Sequence, residues 1–76
     1  CTTLTVRHLN QPGVLAHVFE ILGRNGNNIE DMENVIYQGG KAAVARIHVD
    51  GTVTEDELAL LRSTDAILGA TTATIQ

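Results

Sequence analysis

Alternating apolar and polar residues predict two strands in the chain. The alternation runs from Thr3 to Leu9 and again from Lys41 to Asp50. A period of two is typical of a strand that buries one of its faces. The inward faces are therefore expected to carry Leu4, Val6 and His8 in the first segment, and Ala43, Ala45, Ile47 and Val49 in the second.

Two further segments have the apolar spacing of an amphipathic helix. The first opens on Pro12-Gly13, since proline suits the first turn of a helix, and it ends near Gly26, where a left-handed cap is expected. The second opens on Thr54 and Glu57, which have the spacing of a capping box. The apolar stripe of the second helix is Leu58 and Leu61, and that of the first is Val14, Leu15, Val18, Ile21 and Leu22.

The rest of the chain predicts two more strands. Residues 28–38 are expected to form the second strand, with a bulge near Asp31 that shifts its register. The double glycine at 39–40 predicts a hairpin turn. The last strand is predicted over residues 70–75, with residues 67–69 leading into it.

The element order β-α-β-β-α-β predicts the fold class. We expect an α+β ferredoxin-like βαββαβ sandwich, in which a four-stranded antiparallel sheet carries both helices on one face. The second and last strands are then the edges of the sheet. Because an exposed edge invites pairing with another chain, we expect a homo-oligomer formed through the second strand. The candidate dimer contact is Val35, Ile36 and Tyr37.

The composition limits the partners of the chain. Its 76 residues allow one domain, residues 1–76, and its net charge of −4 excludes nucleic acids and anionic membranes as expected partners. The single cysteine, Cys1, allows no internal disulfide, which favours a cytoplasmic location. Because the chain opens on Cys1 without a methionine, we expect it to be excised from a longer protein.

The sequence lacks the motifs of the common enzyme classes. It has no Cys-x-x-Cys pair and no phosphate-binding glycine motif, and its one serine, Ser63, has no glycine elbow around it. His8, His17 and His48 have neither close spacing nor a flanking carboxylate pattern, so no metal site is predicted. We therefore expect a binding module that is not itself an enzyme, has no catalytic residues and needs no cofactor of its own.

Polar residues cluster where the first strand meets the first helix. His8 and Asn10 flank the turn there, and the backbone N–H groups of the helix start, near Gly13 and Val14, favour an anion. Asn28 follows the helix at the head of the second strand. A free amino acid requires donors for its carboxylate, acceptors for its ammonium group and a neutral polar group for its side chain. The candidate ligand-binding residues are therefore His8, Asn10, Gly13, Val14 and Asn28, although asparagines in turns commonly bond their own backbone.

Nearly the whole chain, from Leu4 to Ile75, resembles an ACT domain. The general element is Pro-Gly-Val-Leu at residues 12–15, and the more specific features are His8 and Asn10 before it and Asn28 at the next strand. More narrowly, these features are similar to the C-terminal regulatory domain of D-3-phosphoglycerate dehydrogenases. The other stretches that carry the resemblance are residues 7–11, 26–29, 32–37 and 41–47.

The resemblance implies an allosteric function. In the serine-inhibited members of that family, L-serine binds between two ACT domains paired edge to edge. By position, His8 and Asn10 of one chain and Asn28 of the other would contact it. The resemblance also implies a parent oxidoreductase of serine biosynthesis that uses NAD in other domains. This chain has Asn27 where the family usually has valine or isoleucine, so Asn27 and Asn28 are both candidates to face the ligand.

Three functions stay open on the sequence alone. The first is allosteric sensing of L-serine at a subunit interface of a phosphoglycerate dehydrogenase. The second is a purely structural role, in which the edge strand holds an oligomer together. The third is an ACT domain from another pathway that senses a different amino acid.

Overall fold

The structure, a computed structural model, describes residues 2–24 and 26–74. Within them the strands form one four-stranded antiparallel sheet in the order β2-β3-β1-β4. The predicted βαββαβ ferredoxin-like fold, with β2 and β4 at the two edges, is confirmed. The elements are β1 Thr2–Leu9, α1 Val14–Arg24, β2 Asn28–Ile36, β3 Ala42–Asp50, α2 Glu55–Arg62 and β4 Ile67–Thr74.

The core lies between the sheet and the two helices. The inward side chains of β1 and β3 alternate with exposed or half-exposed ones, as their period of two predicts. Both helices bury the stripes that their spacing predicted, except that Leu15 is only partly buried, and Gly26 ends α1 with a φ of +76° as a left-handed cap. The fully buried apolar side chains are Leu4, Val6, Val18, Leu22, Ala43, Ala45, Ile47, Val49 and Leu61.

The predicted bulge in β2 is present. Ile29 lies opposite Val49 and Asp31 lies opposite His48, so the register shifts between them and Glu30 is the extra residue of the bulge. The extra residue places Ile29 on the half-buried inner side while the acidic residues that follow stay exposed. The strand itself is shorter than predicted and ends at Ile36.

The predicted start of β4 was wrong. The strand begins at Ile67, three residues before the predicted Ala70, because its pairing with β1 continues through a second irregularity. Arg7 lies opposite Gly69 and His8 lies opposite Ile67, which leaves Leu68 unmatched and exposed. Ile75, the predicted last residue of this strand, lies outside the described residues.

A buried carboxylate ties α2 to the beginning of β2. Thr54 and Glu57 form the predicted capping box, in which the Glu57 amide donates to Thr54 Oγ1 at 3.2 Å and Thr54 N donates to Glu57 Oε1 at 3.0 Å. The other carboxylate oxygen, Oε2, accepts a 2.8 Å hydrogen bond from Asn27 Nδ2. Only 1% of Glu57 is exposed, so its partners replace the water that a carboxylate otherwise requires.

Replacing Glu57 by alanine is expected to lower the free energy of unfolding by about 2 kcal/mol, because the capping box loses the bond from Thr54 N to the carboxylate and the Asn27 amide loses its partner. Urea unfolding followed by circular dichroism measures the change. Glu55→Ala is the matched control, since it removes an exposed carboxylate from the same helical turn and is expected to cost less than about 0.5 kcal/mol. Equal losses in the two variants would show that the bond to Asn27 contributes nothing.

Candidate functional site

The loop between β1 and α1 is held against the turn between β2 and β3. Asn10 N donates to Lys41 O at 2.9 Å, and the Asn10 side-chain amide Nδ2 donates to Gly40 O at 2.9 Å. On its other side the loop is fixed by a 2.8 Å hydrogen bond from Leu9 N to Ala66 O. Nδ2 is therefore occupied within the chain, and within residues 2–24 and 26–74 the amide oxygen of Asn10 has no donor. That oxygen can accept from an ammonium group.

Helix α1 begins without a side-chain cap, unlike α2. Gly13 leads into it with a φ of +84°, a backbone conformation that favours glycine. His17 N already donates to Gly13 O at 3.0 Å, but no acceptor for the N–H groups of Leu15 and Ala16 is found in the part of the chain that the structure describes. Val14 buries its side chain and offers only its backbone. Uncapped N–H groups at a helix N-terminus attract a carboxylate.

His8 lies under this loop and is almost fully buried, with 2% of its surface exposed. Its Nδ1 lies 2.9 Å from Leu9 O, and its Nε2 lies 3.1 Å from Asn34 Oδ1. Both partners are amide oxygens, which accept, so the tautomer of the ring decides which of the two nitrogens donates. Both ring nitrogens have partners, so a ligand can contact Nε2 only by replacing Asn34.

The contact between His8 and Asn34 passes over an intervening strand. His8 is on β1 and Asn34 is on β2, and β3 lies between them. Ala43 and Ala45 occupy the facing positions on β3, since Ala43 lies opposite His8 and Ala45 opposite Asn34. Their small side chains leave room for the bond. Asn34 was not predicted from the sequence. The signal for it is that the bulge places this polar residue on the same face of β2 as Ile29 and Met32.

Asn28 and Asn27 have different surroundings. The Asn27 side chain donates to Glu57 of its own chain, whereas Asn28 is exposed. Asn28 lies opposite Asp50 and His8 lies opposite Ala43, at the two ends of β3. At about 3.3 Å per residue, these ends are about 23 Å apart. A small ligand at the helix start therefore cannot touch Asn28 of the same chain.

Strand β2 is exposed on both faces as well as along its free edge. Val35, Ile36 and Tyr37 are 47%, 54% and 45% exposed. Val35 lies opposite Val44 on the face without helices, and Ile36 lies opposite Ala43 on the helix face. Tyr37 follows the strand and pairs its backbone N–H with Ala42 O at 2.9 Å. The predicted contact residues thus form an apolar end to an edge strand.

The three histidines lie apart. His17 on α1 is 3.2 Å from Thr64 Oγ1, and His48 on β3 bonds Asp31 on the face without helices. No group of three or more histidine, cysteine, aspartate or glutamate residues that could hold a metal ion occurs among the described residues. The same part of the chain has no helix that is long and apolar enough to cross a membrane.

Several solved structures have a similar fold. The ACT domain from GTP pyrophosphokinase of Chlorobium tepidum gives a TM-score of 0.71 at 8% identity, over 95% of each chain. The regulatory subunit of aspartate kinase from Thermus thermophilus, in its ligand-free form, gives 0.72 at 15% identity, over 96% of this chain and 50% of that chain. GqqA, a quorum-quenching acylase, gives 0.65 at 30% identity, over 91% of this chain and 28% of that chain.

The sequence also matches a family model, which is described as an AHAS small subunit-like ACT domain and covers residues 4–64. A comparison with curated proteins gives no match. The family match includes the β1–α1 loop, Asn28 and the whole of β2, and it does not single out phosphoglycerate dehydrogenases. Because it spans most of the chain, and because the fold agrees with it, the chain belongs to the ACT domain family, whose members are regulatory domains and not catalytic ones.

Proposed function

We propose that this ACT domain binds a small amino acid between two copies of the chain, and that the bound ligand regulates a longer protein. The observation that carries the proposal is the uncapped start of α1 beside the free amide oxygen of Asn10. These groups offer donors and an acceptor next to one another. An α-amino acid carries the complementary carboxylate and ammonium groups on one carbon atom.

The ligand is placed by its charged groups. Its carboxylate accepts from the N–H groups of Leu15 and Ala16, where the helix dipole also favours negative charge. Its ammonium group donates to Asn10 Oδ1. Gly13 and Val14 contribute only backbone atoms to the site, because glycine has no side chain and the Val14 side chain is buried in the core.

The second copy supplies Asn28, because Asn28 of the same chain lies at the far end of the sheet. Two β2 strands related by a two-fold axis run antiparallel, which brings the start of one strand to the end of the other. In this alignment Asn28 of one copy lies beside Ile36 of its partner.

We favour L-serine as the ligand. The longer protein would then be a D-3-phosphoglycerate dehydrogenase that uses NAD in its other domains. His8 is bonded to Asn34, so a ligand must offer a polar group in exchange for the Asn34 amide. The hydroxyl of serine can both donate and accept there. The match to the AHAS small subunit-like group favours the alternative, a parent from another pathway and a different amino acid.

Asn28→Ala is expected to weaken the binding of L-serine about tenfold or more, because the ligand loses a partner from the second copy. Isothermal titration calorimetry of the chain, at concentrations where it is dimeric, measures the dissociation constant. Thr72→Ala, an exposed polar substitution on β4 at the opposite edge, serves as the control and is expected to leave the affinity unchanged.

A panel of amino acids in a thermal-shift assay separates the proposed ligands. If another amino acid stabilises the chain and Asn28→Ala abolishes that response, the proposed site is retained and that amino acid replaces serine as its ligand. If the dimer responds to no amino acid at millimolar concentration, the proposed sensing function is wrong and the purely structural role remains.

Ile36→Lys is expected to raise the dimer dissociation constant about tenfold or more, because the charge lies at the apolar end of β2, where the partner strand starts. Sedimentation velocity over a dilution series measures it. Leu68→Lys is a closely matched control, since Leu68 is 50% exposed against 54% for Ile36 and lies on β4 at the other edge. A dimer weakened equally by both substitutions would place the contact elsewhere.

A further inference from the structure

The face of the sheet opposite the helices, which we call the open face, contains a shallow depression of about 470 Å³. It lies over the middle of β1, β3 and β4. Polar and cationic side chains line it together with apolar groups, which include Val44, Ala70 and the tyrosine ring. Those that matter to its chemistry are Thr5, Arg7, Tyr37, Val44, Arg46 and Thr71.

Two guanidinium groups line this depression. Arg7 lies opposite Val44 and Arg46 lies opposite Thr5, so the two arginines are diagonal neighbours on adjacent strands. Neither forms an ion pair with a carboxylate of residues 2–24 and 26–74. Glu33 lies opposite Arg46 in register and yet does not pair with it. Two like charges held together repel each other, and an anion between them removes that cost.

Strand β4 has a glycine, Gly69, opposite Arg7 of β1. A Cβ atom at Gly69 would lie 2.8 Å from Arg7 Nη2, which is closer than non-bonded atoms approach, and 3.2 Å from Arg7 Nε, which is a tight contact. Glycine inside a strand is unfavourable because it packs nothing and has the largest entropy to lose. At this position it makes the space in which the guanidinium lies flat against β4. The position that the Arg7 guanidinium takes at the rim of the depression thus depends on the lack of a side chain at residue 69.

We propose that this depression binds a small anion that carries a phosphate group or two carboxylates. The planar forks of Arg7 and Arg46 match the paired oxygens of either group. The hydroxyls of Thr5 and Thr71, opposite one another on β1 and β4, add neutral donors. The volume is that of a small-molecule site. The site shares no residue with the proposed amino-acid site at the start of α1 and does not depend on it.

Titration of the chain with pyrophosphate and with succinate, followed by ¹H–¹⁵N NMR at constant ionic strength, tests the proposal. The shifted amide signals are expected to be those of the open face, on β1, β3 and β4. Pyrophosphate represents phosphate-bearing ligands, and succinate represents dicarboxylates. Whichever probe binds more tightly identifies the class, and the absence of a response to both at millimolar concentration overturns the proposal.

Arg46→Gln and Arg7→Gln are each expected to weaken the better probe about tenfold or more, because each removes a charge-assisted hydrogen bond. Gly69→Ala is expected to weaken it without changing the net charge, since the new methyl group displaces the Arg7 guanidinium. Glu33→Gln is expected to tighten binding, because a competing negative charge beside Arg46 is removed.

Arg24→Gln is the matched control. It removes one positive charge from the exposed surface of α1, where Arg24 pairs with Glu20, and is expected to change the affinity by less than about twofold. If Arg24→Gln weakens the probe as much as Arg46→Gln does, the attraction belongs to the net charge of the chain, and no site exists on the open face.

Discussion

Among the described strands, β2 pairs with β3 alone, and the proposed amino-acid site depends on a second chain along the other edge of β2. The order β2-β3-β1-β4 puts this strand at an edge, and the helix layer does not cover it, since its side chains stay exposed on both faces. The same position separates Asn28 from the start of α1 by the length of β3. The edge position of β2 thus leaves its backbone open to a second chain, and it leaves the proposed ligand site incomplete in a single copy.

The elements that bury a regular face could be predicted from the sequence. β1, β3 and α1 follow simple periods, and even the bulge in β2 was predictable, because the acidic residues at 30, 31 and 33 break the alternation. The start of β4 was not predictable. Glycine after Ile67-Leu68 is typical of a turn, whereas here Gly69 remains in the strand to give room to Arg7, a residue distant in sequence.

The chemistry of the candidate site was predictable in part for the same reason. Asn10 and the start of α1 are close in sequence, so local spacing brings them together. The partner of His8 is set by the register of three strands, by the bulge at Glu30 and by the two alanines of β3 that leave the path open. No local pattern contains that information. The separation of Asn27 from Asn28 likewise depends on Glu57, thirty positions after Asn27.

Strand β3 presents different residues to the two proposed sites. Ala43 and Ala45 face the helices and lie beneath the contact between His8 and Asn34, while Val44 and Arg46 face the open side. Because side chains of a strand alternate between its faces, each of these positions serves one face alone. Larger side chains at residues 43 and 45 would block the contact between His8 and Asn34. A change of charge at Arg46 would not affect that contact, because Arg46 faces the open side. Substitutions on the open face therefore leave the packing under the β1–α1 loop intact.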